Sequence, residues 1–305
     1  MQEIKYKYAK IGLSRICKLF GMSRQAYYQH FWQEESTTIE QELIIKEVQR
    51  IRTNHRAMGT RKLYEKLQPF MLEHQIKMGR DALFDCLAEH KLLIRRRKRK
   101  ITTTISYHRF RKYKNLIKEL KINTCNHLYV SDITYWKIQT GFVYISFITD
   151  AYSHKIVGYQ VASTLEAIES KQALEMAIKP LSKQQMKHLI HHSDRGVQYC
   201  SDEYVKLLQD NEIQISMTES SEPTDNAIAE RLNGILKDEY LQFYVVEDIM
   251  QAKEKLKEAV DLYNQERPHM SIGNLTPQQV HQNNIQTERL WKSYYPNQRK
   301  EILEV

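Results

Sequence analysis

Three short runs rich in β-branched and aromatic residues crowd the segment from His127 to Ala162: HLYVSDITYW, FVYISFITDA and HKIVGYQVA. Gly141 separates the first two, and Tyr152-Ser153-His154 separates the second from the third. Runs of this composition, punctuated by turn residues, predict strands. Connections this short do not cross over a sheet, so the three strands should pair in chain order as an antiparallel meander. The pattern then changes. A helix (LEAIESKQALEMAIKPL), a buried strand (HLIHHSD), a helix (SDEYVKLLQDN), a short strand (EIQISM), the turn SSEPTDN and a long helix from Ala227 follow in order. The expectation is an α/β core over residues 123–283, with a mixed five-stranded sheet flanked by helices.

The first third of the chain is helical in pattern. From Ile11 to Phe31, Leu13, Ile16, Leu19 and Phe20 share one helical face, Gly21 makes a turn, and Ser23 stands where a cap would open the helix RQAYYQHF. This predicts an α-helical helix-turn-helix within residues 1–36, its second helix presenting Arg24, Gln25 and Tyr28 to phosphates and base edges. Residues 37–94 repeat the theme more loosely. An amphipathic helix (IEQELIIKEVQRIRTNH) leads to Gly59-Thr60 and RKLYEKLQ, and a further helix opens at Lys77-Met78-Gly79-Arg80 with Leu83, Phe84, Leu87 and Leu92 inward. That segment reads as a second helical DNA-binding domain.

Charge is unevenly spread. Of a formal net charge of +9, the stretch Arg95–Lys121 carries twelve Lys or Arg against the single acid Glu119, so the rest of the chain is slightly acidic. Residues 95–122 therefore read as a basic linker for a polyanion, led by Arg95, Arg96, Arg97, Lys98, Arg99 and Lys100. The four cysteines share no CxxC spacing, which suggests neither a disulfide framework nor a zinc site and fits a reducing cytosol. No apolar run has membrane-spanning length, and MQEIKYKYAK has no signal core, so a cytoplasmic protein without membrane contact is expected. Residues 284–305 form a C-terminal tail whose Trp291, Tyr294 and Tyr295 could dock on the core.

Three acids stand at telling places. Asp132 lies inside the first strand, where an unpaired carboxylate is costly. Asp194 ends the fourth strand just before Arg195-Gly196, and Glu230 falls in the first turns of the long helix. A sheet can bring strand ends and a helix start to one point. Hard divalent cations prefer oxygen ligands, and a pair of them cleaving a phosphodiester needs about three carboxylates. Singly, each acid reads as well as a strand, turn or helix-surface residue. Asp150 and Asp225 read as turn and N-cap residues.

The surrounding residues carry a resemblance. Asp-Ile-Thr-Tyr (132–135), His-Ser-Asp-Arg-Gly-Val-Gln-Tyr (192–199), Asp-Asn-Ala-Ile-Ala-Glu-Arg-Leu-Asn-Gly-Ile-Leu-Lys-Asp-Glu (225–239) and Tyr-Asn-Gln-Glu-Arg-Pro-His (263–269) resemble the signatures of insertion-sequence transposases of the IS-three family. More broadly, they are similar to the integrase core shared with retroviral integrases. Thirty-five residues separate Asp194 from Glu230, the spacing of that DDE class. The order of elements is likewise the ribonuclease-H-like one. The resemblance implies that Asp132, Asp194 and Glu230 are the catalytic, metal-binding triad for two Mg²⁺ (or Mn²⁺) ions, and that Lys237 contacts transposon-end DNA. His192, Gln198, Tyr199, Asn226 and Asn233 match motif positions near the site, although His192 reads equally well as a residue packed at a strand end. The implied activity is 3′-end cleavage and strand transfer at terminal inverted repeats, joining them to target DNA. The implied setting is a homo-oligomer on double-stranded DNA in a bacterial, nucleoid-associated location. Such chains are often fused to an upstream-frame product with a helix-turn-helix and leucine zipper. Other readings are a non-catalytic DNA-binding regulator, an inactive remnant, or a ribonuclease-H-type nuclease.

Overall fold

A computed structural model describes residues 11–94, 110–219, 226–288 and 290. The basic run Arg95–Lys100, the turn residues Thr224 and Asp225, and Trp291, Tyr294 and Tyr295 lie outside the described residues. The chain divides into two compact units, residues 1–53 with 66–93 and residues 54–65 with 94–305.

In the first unit, α1 (Leu13–Leu19) is followed by a left-handed turn at Gly21 (φ 65°) and by α2 (Arg24–Asn54). Ser23 Oγ accepts a hydrogen bond from Ala26 N at 3.0 Å and caps α2, as its position predicts. Two details differ from the sequence expectation. Ile16 is buried as expected, but Leu19 and Phe20 are exposed and Cys17 turns inward in their place. The reason is length: α1 spans only seven residues, and Phe20 is already its C-cap, off the helical stripe. The helix at Arg24 also continues past Phe31, so the expected boundary between residues 36 and 37 falls inside it. No Gly or Pro between Arg24 and Asn54 supplies a stop. Ile44, Val48 and Ile51, at helical spacing on α2, are buried. The later helices of the region are α3 (Thr60–Glu73) and α4 (Arg80–Glu89). On α4, Leu83 and Leu87 are buried as expected, whereas Phe84 and the following Leu92 are only half-buried.

The second unit is built on five strands: β1 (Leu128–Ile138), β2 (Gly141–Asp150), β3 (Ile156–Ala162), β4 (Ile190–Ser193) and β5 (Gln214–Met217). Their order in the sheet is β3-β2-β1-β4-β5. The first three form the expected antiparallel meander, and β4 and β5 add in parallel beyond β1. Parallel pairing requires crossovers. Among the described residues these are α5 (Ala167–Ile178) and α6 (Lys183–His188) before β4, then α7 (Val197–Cys200) and α8 (Asp202–Asp210) before β5. α9 (Ala227–Glu239), α10 (Ile249–Glu266) and α11 (Pro277–Asn283) complete the unit.

The strand period sorts side chains onto two faces. Tyr129 and Ile148 pack with Ala173, Leu174 and Ala177 of α5 and with Tyr204 and Leu208 of α8. The opposite face, with Trp136, Val143, Ile145 and Phe147, packs under Leu232 and Leu236 of α9 and Leu256 and Val260 of α10. At Gly158 of β3, a Cβ would lie 2.1 Å from Ala173 O, so only glycine lets α5 come this close.

Two segments assigned by sequence to DNA binding group with the sheet. Residues 54–65 are held there by His55, whose ring meets Tyr240 Oη at 3.1 Å and Glu266 Oε2 at 2.9 Å, and by Lys62, which donates to Glu239. The last part of the expected linker is also packed: Ile117, Leu120 and Ile122 lie against Leu128, Val130, Ile190 and Ala229. Its alternating apolar residues outweigh its charge there. Among the described residues, no helix is long and apolar enough to cross a membrane.

Candidate active site

The sheet topology explains why Asp132 and Asp194 are neighbours. β1 and β4 run in parallel, with Leu128, Tyr129 and Val130 opposite Ile190, His191 and His192. Asp132 lies two residues beyond the last of these pairs on β1, and Asp194 two residues beyond it after β4. Both therefore sit where the pairing of β1 with β4 stops, at the carboxyl end of β4, while β1 continues to Ile138 beside β2; the carboxyl end of a parallel strand is a usual place for a site. The third acid arrives from α9, which is tied to β1 at two points. Asn226 Nδ2 donates to Ser131 O at 2.9 Å, and Asn233 Nδ2 donates to Asp132 Oδ2 at 2.6 Å. Glu230 is on α9 between these anchors and is solvent-exposed.

The electrostatics follow from that crowding. Burial and then the charge of Asp194 push the Asp132 carboxyl up to about 7, and Glu230 adds in the same direction. Hydrogen bonds from Ile133 N at 2.9 Å and from Asn233 offset only part of this. Partial burial raises the Glu230 carboxyl as well. Asp194 Oδ1 accepts from Gly196 N at 2.9 Å. A Cβ on Gly196 would lie 2.9 Å from that same oxygen, which is why a glycine follows here.

The three carboxylates do not close around a single point. Among the described residues, the group whose donor atoms all gather within 4.8 Å is Cys125, Asp150 and His281, elsewhere in the unit. There Asp150 acts as the expected turn residue: Oδ1 accepts from Ser153 N and Oγ, both at 2.7 Å, and Oδ2 accepts from Asn126 N at 2.7 Å. Burial and the Asp150 charge push the Cys125 thiol up to about 12, so it stays protonated. Asp132, Asp194 and Glu230 are not a group of that tightness, although Asp194 and Glu230 both lie near enough to act on the Asp132 carboxyl.

The other motif residues separate into two groups. Lys237 is seven residues after Glu230 on the same face of α9, its Nζ 4.0 Å from the centroid of the Tyr135 ring. Tyr199 is buried, with no hydrogen-bond partner for its Oη among the described residues. Burial, and then the charges of Tyr204, Asp132 and Asp194, hold its hydroxyl well above the usual range. Away from the carboxylates, Gln198 Nε2 donates to Leu165 O at 3.0 Å. His192 is fully buried with Nδ1 2.8 Å from Ser216 Oγ of β5, which matches its packing reading. The neighbouring His191 meets Ser131 Oγ and Tyr204 Oη, and burial lowers it to about 3, so it is neutral. Arg24, Gln25 and Tyr28 are exposed on the first turns of α2, in the other unit.

One cluster carried no role in the sequence reading. Arg267, almost fully buried, donates from Nε and Nη2 to both oxygens of Glu239 at 2.8 Å, and from Nη1 to His269 Nε2 at 2.7 Å. Lys62 Nζ adds a bond to Glu239 at 3.0 Å. Asn264 brackets Ile156 of β3, accepting from its N–H at 2.9 Å and donating to its C=O at 3.0 Å. The segment Tyr263–His269 thus pins the last turn of α9 and one sheet edge together. The hint in the sequence is only that Arg267 sits inside the motif Tyr263–His269, because an arginine that is buried must find an acid.

An antiparallel β1–β3 meander extended by parallel β4 and β5, with acids on β1, after β4 and on α9, is a ribonuclease-H-like core. Residues 123–223 and 211–277 match the integrase core domain family in two overlapping segments. The 31 kDa protein of insertion element IS600 from Shigella sonnei is 32% identical over 267 residues, covering 86% of this chain and 96% of its own. A transposase for insertion sequence element IS629, also from Shigella sonnei, is 28% identical, covering 87% and 90%. Transposase InsF for insertion sequence IS3A from Escherichia coli K12 is 30% identical over about half of each chain, 52% and 55%. The chain belongs to the insertion-sequence transposases that carry an integrase core. Among solved structures, the HTLV-2 integrase catalytic core domain in complex with magnesium is similar at 20% identity and a TM-score of 0.41, over 51% of this chain and 96% of that one.

Proposed function

We propose that this transposase cuts the 3′ ends of its own element and joins them to target DNA, with Asp132, Asp194 and Glu230 holding two Mg²⁺ or Mn²⁺ ions. One observation carries the reading: the Asp132 carboxyl is buried beside Asp194 and Glu230, and burial and these two acids raise it to about 7. Bound divalent ions would relieve that repulsion while supplying an activated nucleophile and a stabilised leaving oxygen. The donor set fits, because the acids are oxygen ligands with lone pairs left over after the hydrogen bonds from Ile133, Asn233 and Gly196.

A hydrolysis followed by a transesterification suffices. In the first, water attacks the phosphorus at the element's end and the bond to the 3′ oxygen breaks. A 3′-hydroxyl is left on the element and a 5′-phosphate on the flank. In the second, that hydroxyl attacks a target phosphorus and displaces the target's own 3′ oxygen, so the number of phosphodiester bonds is unchanged. The chain's contribution is positioning. Asn233 orients Asp132, Asn226 fixes the start of α9, and Lys237 steadies the transposon end. Arg24, Gln25 and Tyr28 read the terminal inverted repeats, and Arg95–Lys100 contact the backbone. Pairing two ends calls for an oligomer on the DNA, alone or with an upstream-frame partner.

The test is strand transfer by Asp194→Asn and Glu230→Gln, in Mg²⁺ and in Mn²⁺, on an oligonucleotide carrying the terminal repeat. Neither amide supplies carboxylate charge, so both should be inactive while still binding the oligonucleotide. Activity in either variant sinks the reading.

A further inference from the structure

α9 has a second working face. Arg231, Leu232 and Ile235 of this helix, with Arg61, Lys121 and the corner at Thr149, wall a cavity of about 900 Å³. Its lining holds Arg61, Lys62, Lys121, Arg231 and Arg267 and not one Asp or Glu. Behind the wall, a single carboxylate, Glu239, serves both Lys62 and Arg267. Among the described residues, no carboxylate pairs with Arg61, Lys121 or Arg231. The surplus charge is felt by its neighbours. Burial and then Arg267 lower the Lys62 ammonium to about 8, with Arg231 adding to the fall, although Glu239 opposes it. Burial, Arg267, His154, Lys62 and Arg231 together hold the His269 ring neutral. Thr149, which also lines the cavity, is buried with an Oγ1 that has no hydrogen-bond partner among the described residues. Cationic walls, an unspent hydroxyl and apolar patches from Leu232 and Ile235 suit an anion carried on a partly apolar scaffold, as a phosphodiester is on its sugars.

We infer that this cavity docks a DNA backbone phosphate other than the one that reacts, held by Arg61, Arg231 and Lys121. Adjacent residues on a helix project about 100° apart. Glu230 and Arg231 therefore address two different phosphates from one helix. The inference rests on the transposase reading for its ligand, but it requires only that duplex DNA bind.

The test is salt-dependent binding of a short DNA duplex of arbitrary sequence to the full chain, comparing wild type, Arg61→Ala/Arg231→Ala and the charge-keeping Arg61→Lys/Arg231→Lys. The alanine pair should flatten the slope of log K against log salt by about 0.9 per lost contact, about 2 in all, and the lysine pair should restore most of it. An unchanged slope overturns the inference. So does a slope unchanged for DNA while inorganic phosphate raises the melting point of wild type and not of the alanine pair, since the cavity would then take a free anion. Cleavage of a terminal-repeat duplex in Mg²⁺ is scored separately. If wild type binds with the predicted slope change but never cleaves, the transposase chemistry fails and the docking site stands.

Discussion

Replacing Arg267 by methionine tests whether a buried ion pair fixes the far end of α9. The guanidinium gives two 2.8 Å hydrogen bonds to Glu239 and one of 2.7 Å to His269. Burial pushes the Glu239 carboxyl up, but the charge and hydrogen bonds of Arg267, followed by those of Lys62, outweigh it and hold it at about 2 against an ordinary 4.5. At ~1.4 kcal/mol per tenfold, that displacement favours the ionised folded form by about 3 kcal/mol. Removing one partner of a buried pair typically costs about 3–5 kcal/mol, because the other charge is left uncompensated. Lys62 stays beside Glu239, so Arg267→Met should lie near the lower end, about 3 kcal/mol. Adding Glu239→Gln removes that carboxylate but leaves Lys62 without its acid, so the double variant should lose less than the sum of the two single variants, with a coupling of roughly 2 kcal/mol. Urea unfolding of the four proteins measures this cycle. The sign of the pH dependence follows from the depressed carboxyl. Its contribution is complete above the ordinary 4.5 and is lost as pH falls toward about 2, so the gap between wild type and Arg267→Met should narrow over that window. Additive single effects, or a gap that ignores pH, would refute the reasoning.

Three further substitutions probe other parts of the structure. Gly158→Ala drives a Cβ to 2.1 Å from Ala173 O and 2.9 Å from Ala177 Cβ, so the melting point should fall by the equivalent of about 1–3 kcal/mol; no change would mean that α5 yields freely. Asn233→Ala removes the 2.6 Å bond that orients Asp132, and should cut metal-dependent cleavage about 10–100-fold while leaving duplex affinity within error. A matching fall in affinity would instead make Asn233 a DNA contact. Neutral replacements of Arg95–Lys100 should flatten the salt slope of DNA binding by about 0.9 per lost phosphate contact, and an unchanged slope would reduce that run to a spacer.

Short-range pattern made much of this molecule readable beforehand. The meander, the alternating helices and strands, and the positions of Asp132, Asp194 and Glu230 on them follow from local periodicity and turn chemistry, which a sequence displays directly. Ser23 as a cap and Gly21 as a left-handed turn were legible for the same reason. Features that depend on distant partners were not. Nothing near Lys62 or His55 in the sequence announces that Glu239, Tyr240 and Glu266 will hold that segment to the core. The 115–122 segment was judged by its charge, although Ile117, Leu120 and Ile122 decide where it packs. The partner that meets the His192 ring, the Ser216 hydroxyl, lies on another strand, where no local pattern points to it. The long α2 was missed for the opposite reason: a helix with no breaker offers no signal of where one unit stops.

The most direct test of the carboxylate site is the thermal stability of wild type and Asp132→Asn at pH 8, with and without Mg²⁺, beside Mg²⁺-dependent cleavage of a terminal-repeat duplex. The folded Asp132 carboxyl titrates at about 7 rather than 3.8, so without metal the folded state holds the extra proton between those values and stability falls as pH rises through them. At pH 8 wild type bears that whole cost and the uncharged asparagine does not. The expected result is a metal-free Asp132→Asn that melts above metal-free wild type, gains nothing from Mg²⁺ and does not cleave, while Mg²⁺ both stabilises wild type and switches on cleavage. An Asp132→Asn protein that cleaves, or that melts and responds to Mg²⁺ as wild type does, would contradict it.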